Sequence, residues 1–178
     1  MKLLVFGFVL SLGIMSTWSS VIEHPVKRDV AAIENDLAVV SSNLINYDSL
    51  VHNFVQGGGS LVQALSLHSA TPGVINSLDT TTLDVQATPT LSSSDAQIIE
   101  QSVVSLEPTL IDICTTIIGA TSGSSLPTGG IGALLRSDLS SIINAFNELI
   151  DALEPISQGG VVGQLATIKS QVGLSCTV

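Results

Sequence analysis

Aromatic and basic residues are scarce in this chain. Four Phe, one Tyr and one Trp are spread over 178 residues, and five Lys plus Arg face fifteen Asp plus Glu, for a formal net charge of −10. Phe6, Phe8, Trp18 and both methionines, Met1 and Met15, fall within the first twenty residues, so the rest of the chain holds only Tyr47, Phe54 and Phe146. Stacking on sugar rings or bases needs exposed aromatic faces, and three scattered rings cannot build a platform. A phosphate backbone or an anionic membrane surface needs clustered Lys and Arg, and only Arg136 and Lys169 follow the pair Lys27-Arg28. Nucleic acid is therefore not expected as a partner.

Catalytic patterns are missing as well. Gly58-Gly59-Ser60-Leu61-Val62 lacks the closing glycine of a nucleophile elbow. Gly129-Gly130-Ile131-Gly132 has no preceding strand and no following Lys to hold a phosphate. His24, His52 and His68 are the only imidazoles, and no His or Cys spacing supports a zinc site. His52 and His68 could meet across adjacent helices, but the acidic residues read as dispersed along solvated helix faces. No enzyme, metal site or cofactor is expected.

At the N-terminus, Met1-Lys2, the apolar run Leu3 to Met15 and the small polar residues Ser16, Thr17, Ser19 and Ser20 have the three parts of a secretory signal. The run is shorter than the roughly 20 residues that cross a bilayer. Residues 1–20 are therefore expected to be removed near Ser19 or Ser20, leaving an arm at 21–28 and a domain at 29–178. Lys27-Arg28 in that arm is either a dibasic processing site or a solvated charge pair. Val172 to Val178 carries no hydrophobic tail of the kind a lipid anchor requires, so a freely secreted product is expected. In a secreted chain the two cysteines, Cys114 and Cys176, read most simply as one disulfide, the alternative being a buried Cys114 with Cys176 free.

What the chain has in abundance is Leu, Ile, Val and Ala at helical spacing. From Asp29, apolar or aromatic residues recur at Val30, Ile33, Leu37, Val40, Leu44, Tyr47, Val51 and Phe54, and Gly57-Gly58-Gly59 stops the helix. Ser60 to Gln63 forms a capping box that starts a second helix, with Leu61, Leu65 and His68 on its apolar side and a kink or break expected at Pro72. After a loop at 87–93, Ser94 to Gln97 repeats the capping signature. A third stripe then runs Ile99, Val103, Leu106, Leu110, Ile113 and Ile117, with a bend expected at Pro108. Leu135, Leu139, Ile142, Phe146, Leu149 and Leu153 mark a fourth helix ended by Glu154-Pro155, and Leu165, Ile168 and Val172 a fifth. The sum is an all-α antiparallel bundle of about five amphipathic helices, in which short links make sequential neighbours pack together.

An aliphatic interior nearly free of aromatics suits an acyl chain as well as a plain core. The candidate apolar lining is Leu37, Leu44, Leu65, Ile99, Leu106, Leu110, Leu135, Ile142 and Phe146. The chain accordingly reads as a secreted non-enzymatic binder of apolar material, either lipid held between helices or a hydrophobic surface met by an exposed stripe. The alternative is a secreted effector or adaptor acting through protein–protein contact.

The Lys-Arg-Asp-Val start, the long first helix, Ser-Asp-Ala opening the third and the apolar helices throughout carry a resemblance that spans Lys27 to the C-terminus. The chain resembles the fungal hydrophobic surface-binding protein A family, which also includes cell-wall galactomannoproteins. The resemblance implies a helical bundle that adsorbs to hydrophobic surfaces and recruits secreted hydrolases to them. For the galactomannoprotein relatives it implies fatty acid held in an internal cavity, and it adds cell-wall association as a possible destination. The chain has no N-x-Ser/Thr sequon, so any glycan would be O-linked, on the Ser/Thr loops at 88–94 and 121–128.

Overall fold

The computed structural model describes residues 30–88, 90–122, 130–157 and 161–176, side chains 161–162 excepted; the signal, the arm and Lys27-Arg28 lie outside these residues. Five helices make up the fold: α1 (Val30–Gln56), α2 (Leu61–Gln86), α3 (Ser93–Ser122), α4 (Ile131–Leu153) and α5 (Val161–Ser175). No strand occurs among the described residues.

Local chemistry sets most boundaries. Gly58 and Gly59 end α1 at φ of 74° and 76°, a region that side chains with a Cβ rarely adopt. Ser60 caps α2, its side chain accepting from the Gln63 backbone N–H while the Gln63 side chain reaches back to the Ser60 N–H. The third helix starts two residues earlier than the Ser94 signature predicts. Ser92 is the residue that caps it, its hydroxyl accepting from the Asp95 N–H at 3.2 Å and donating to the Asp95 carboxylate at 2.7 Å. Ser92-Ser93-Ser94-Asp95 offers overlapping caps, and the serine three residues before an acid wins. Helix α2 runs unbroken through Pro72, contrary to expectation, because its inner face is held by α1 and α4 on both sides of the proline.

Helices α1, α3 and α5 run one way and α2 and α4 the other. Around the bundle, α1 packs on α2 and α3, α2 on α1 and α4, and α5 lies against both α3 and α4, which touch each other only modestly. Helices α2 and α3 are consecutive in sequence yet do not pack together. Leu91, in the link between them, is buried in the core. Pairing of sequential neighbours therefore fails at this one link, where α1 and α3, and α2 and α4, become parallel neighbours.

The stripes of α1, α3 and α4 are buried as their periodicity predicts, whereas that of α2 is not. Its inner face is Ala64, Leu67, Thr71, Val74, Leu78, Thr81 and Val85, and Leu61 and Leu65 point outward. Threonine can take inner positions because each hydroxyl satisfies itself on the preceding turn: Thr71 donates to the Leu67 carbonyl, Thr81 to Ser77 and Thr82 to Leu78. The result is one continuous core spanning all five helices, with Tyr47, Phe54 and Phe146 its largest fully buried side chains. Helix α3, long and apolar enough to cross a membrane by length and composition alone, contributes Ile99, Leu106, Leu110 and Ile117 to that core. Cys114 and Cys176 form a disulfide that ties the end of α5 to α3.

Candidate functional site

The nine residues read as an apolar lining divide sharply. Leu37, Leu44, Ile99, Leu106, Leu110, Leu135, Ile142 and Phe146 are all buried in the shared core, contributed by α1, α3 and α4. Leu65 is not among them. It stands 48% exposed on the outer face of α2, because the small and threonine side chains described above take the inner face of that helix.

Leu65 instead belongs to an apolar surface at the α1–α2 turn. Val62 and Leu65 sit one turn apart at 74% and 48% exposure, with Ser66 and Ser69 beside them in a shallow depression of about 480 Å³. Val55 and Leu61 are exposed as well, one on each side of the glycine turn. Neither an acidic residue nor a Lys or Arg occurs anywhere from Ser49 to Leu78. In a chain of net charge −10 this α1–α2 turn is an apolar tip that carries no Asp, Glu, Lys or Arg of its own. The sequence signal was present in Leu61, Val62 and Leu65, but periodicity alone assigned two of them to the core.

Besides Asp84 and the threonines bonded to their own preceding turn on α2, polar groups enter the bundle at four places among the described residues. The Tyr47 hydroxyl is fully buried and lies 3.5 Å from that of Thr71 across the α1–α2 seam. Burial pushes its pKa up to about 12, the Thr71 contact pulls down and the nearby Asp138 charge adds to the rise. On the adjoining α2–α4 seam, His68 Nδ1 meets the Asp138 carboxylate at 3.0 and 3.1 Å, and Asp138 is only 7% exposed. Glu100 on α3 is buried with its Oε1 lacking a hydrogen-bond partner, and burial raises its pKa.

The fourth place is the α1–α3 seam, where His52 Nε2 lies 3.0 Å from Asp112 Oδ2 and 3.7 Å from Asp48 Oδ1. The hydrogen bond to Asp112 raises the His52 pKa and Asp48 adds to it; burial raises that of Asp48, which His52 opposes. Each imidazole thus faces carboxylates of a neighbouring helix rather than the other imidazole. The dispersed pattern expected for the acidic residues gives way here, because i, i+4 spacing on α1 and the parallel approach of α3 bring three groups together.

Open grooves flank the bundle. One of about 560 Å³ lies between the C-terminal ends of α2 and α4, lined by Thr82, Gln86, Glu148, Asp151 and Ile156 among others. Another of about 280 Å³ follows the α1–α2 seam at Asn43, whose side chain donates to the Gly73 carbonyl. Both have acidic residues in their walls, Glu148 and Asp151 in the first and Asp36 in the second, whereas the depression at the tip has none.

A family model described as hydrophobic surface binding protein A matches residues 30–155. Among solved structures, one described as the crystal structure of AFMP4P in complex with palmitic acid is similar, with a TM-score of 0.72 and 21% identity, covering 83% of this chain and 95% of that one. At that identity the likeness concerns the helical fold. A search of the curated proteins finds no match.

Proposed function

The chain belongs to the hydrophobic surface binding protein A family, and from that premise we propose that it is a secreted, non-enzymatic binder of apolar material that adsorbs through the α1–α2 tip. The observation that carries the reading is the tip itself. Val55, Leu61, Val62 and Leu65 are exposed within a stretch that has no charged Asp, Glu, Lys or Arg. Adsorption to an apolar surface releases water from aliphatic area, and a charge caught in the contact would oppose it by its own desolvation. The tip offers the first without the second. The acidic residues elsewhere on the chain keep the other faces hydrated, so one end adheres while the rest stays in solution.

The same bundle supports a finer reading in which an acyl chain enters between helices. AFMP4P has been solved with palmitic acid, and here α5 packs on both α3 and α4, which touch each other only modestly. Under this reading Leu110 and Ile142, with Leu165 and Ile168 of α5, line the path of the chain, and α5 moves outward to admit it. Secretion follows from the signal at residues 1–20, and cell-wall association and recruitment of a secreted hydrolase to the coated surface belong to the same proposal. A second reading, docking of a protein partner, is favoured by the same exposed tip.

Purified secreted protein, incubated with polystyrene particles and in parallel with a fluorescent fatty acid, tests the proposal. Saturable adsorption, or stoichiometric fatty-acid binding with lipid carried through native mass spectrometry, is expected. Failure of both would overturn it and leave the protein-docking reading.

A further inference from the structure

The α1–α3 seam carries a cluster that neither adsorption nor lipid binding uses. Asp48 and His52 are four residues apart on α1 and so share one face, and Asp112 meets them from α3. One ligand atom from each lies within 4.8 Å of the other two. We propose that Asp48, His52 and Asp112 form a surface site for a divalent transition-metal ion of the zinc class.

The donor set fits such an ion. One imidazole nitrogen with two carboxylate oxygens suits zinc and its neighbours, whereas calcium and magnesium prefer oxygen alone. Zinc holds nitrogen and oxygen at about 2.0–2.2 Å, which in a tetrahedral shell separates the ligand atoms by roughly 3.4 Å. The distances from His52 Nε2, 3.0 Å to Asp112 and 3.7 Å to Asp48, bracket that value. A metal would replace the proton that His52 and Asp112 now share.

A separate observation points the same way. Asp48 Oδ1 is shielded from water and has no hydrogen-bond partner, an arrangement with a desolvation cost that only the charge of His52 opposes. The 3.7 Å approach of His52 is too long for a hydrogen bond, but both atoms would lie within bonding distance of an ion between them. On the outer side, His52 and Asp112 are 44% and 52% exposed, which leaves a path of entry and room for water as a fourth ligand. Two carboxylates and a divalent ion are together neutral, and the ion would bridge α1 to α3.

The experiment uses the full chain freed of metal with a chelator and titrated with Zn²⁺ by calorimetry near neutral pH, with thermal unfolding followed in parallel. Expected are one ion per chain and a raised Tm. His52→Ala and Asp112→Asn should each weaken binding by at least about tenfold, the loss that even outer-shell partners of a metal cause, and abolish the Tm rise. Asp48→Asn, which keeps the side chain's shape, repeats the test should either variant fold poorly. His68→Ala, on a different seam, should bind as the wild type does. Absence of saturable one-to-one binding, or retention of full affinity in the His52 and Asp112 variants, would overturn the proposal and reduce the trio to an ion pair between helices.

Discussion

Cys114, fully buried on α3, is disulfide-bonded to Cys176 just beyond α5, with Cα atoms 5.1 Å apart and a sequence separation of 62. Helix α5 is the shortest of the five, and Leu165, Ile168 and Val172 are its buried anchors. The cross-link restricts the unfolded chain over a long loop, so the double variant Cys114→Ala/Cys176→Ala should lose roughly 2–5 kcal/mol of stability in denaturant unfolding. Amide exchange should rise first in α5. Uniform loss of protection across all helices would instead mean that α5 and the bundle unfold as one unit.

Tyr47 is the one tyrosine of the chain, so its ionisation can be followed by tyrosinate absorbance without interference from another phenol. Its pKa is raised to about 12 from an ordinary value of 10.0. A folded-state pKa above the unfolded one means that stability is intact below pH 10 and is lost as the pH climbs toward and through 12. Absorbance should therefore appear only near pH 12 or together with unfolding. Tyr47→Phe should remove the alkaline fall in stability at a cost of about 0.5–1.5 kcal/mol at neutral pH, the worth of one hydrogen bond. A titration midpoint near 10 in the folded protein would contradict the burial assigned to this hydroxyl.

At the tip, Val62→Asp/Leu65→Asp places two charges where side chains are 74% and 48% exposed. Exposed sites tolerate such changes within about 0.5 kcal/mol each, so helicity and Tm should hold while adsorption to polystyrene falls steeply. Leu83→Asp, equally outward at 64% exposure but near the opposite end of α2, should adsorb as the wild type does. Equal loss in both variants would mean that overall charge, not the tip, governs adhesion.

Glu100 is 6% exposed, and burial raises its pKa. Because the folded state holds this proton more tightly than the unfolded state, stability falls as the pH rises from below the unfolded value through the folded one. Glu100→Gln removes that dependence. It should be more stable than wild type at pH 7, with the gain vanishing below the usual carboxyl range near 4.5, as read from urea unfolding at a series of pH values. A constant difference at every pH would assign the effect to packing.

Much of the architecture is encoded locally and could be read without coordinates. Stripes at three- and four-residue spacing identify α1, α3, α4 and α5, because a helix buries one face and its period is fixed by backbone geometry. Gly58-Gly59 and the Ser60–Gln63 box mark their turn for the same reason, each satisfying backbone groups within a few residues. The cysteine pair followed from there being only two in a chain expected to be secreted.

Tertiary structure decided what depends on partners far along the chain. The inner face of α2 was hidden because Thr71, Thr81 and Thr82 count as polar in a sequence, yet a hydroxyl bonded to its own helix can be buried between α1 and α4. That choice turned Leu65 from lining to surface and made the tip. Helix α3 packs on α1 rather than on α2, and only this brings Asp112 to Asp48 and His52. Composition and period thus fixed that the chain makes five helices around an aliphatic core. Which faces those helices turn to one another, and so where the exposed apolar tip and the Asp48–His52–Asp112 cluster lie, follows from packing complementarity between residues 24 to 70 positions apart.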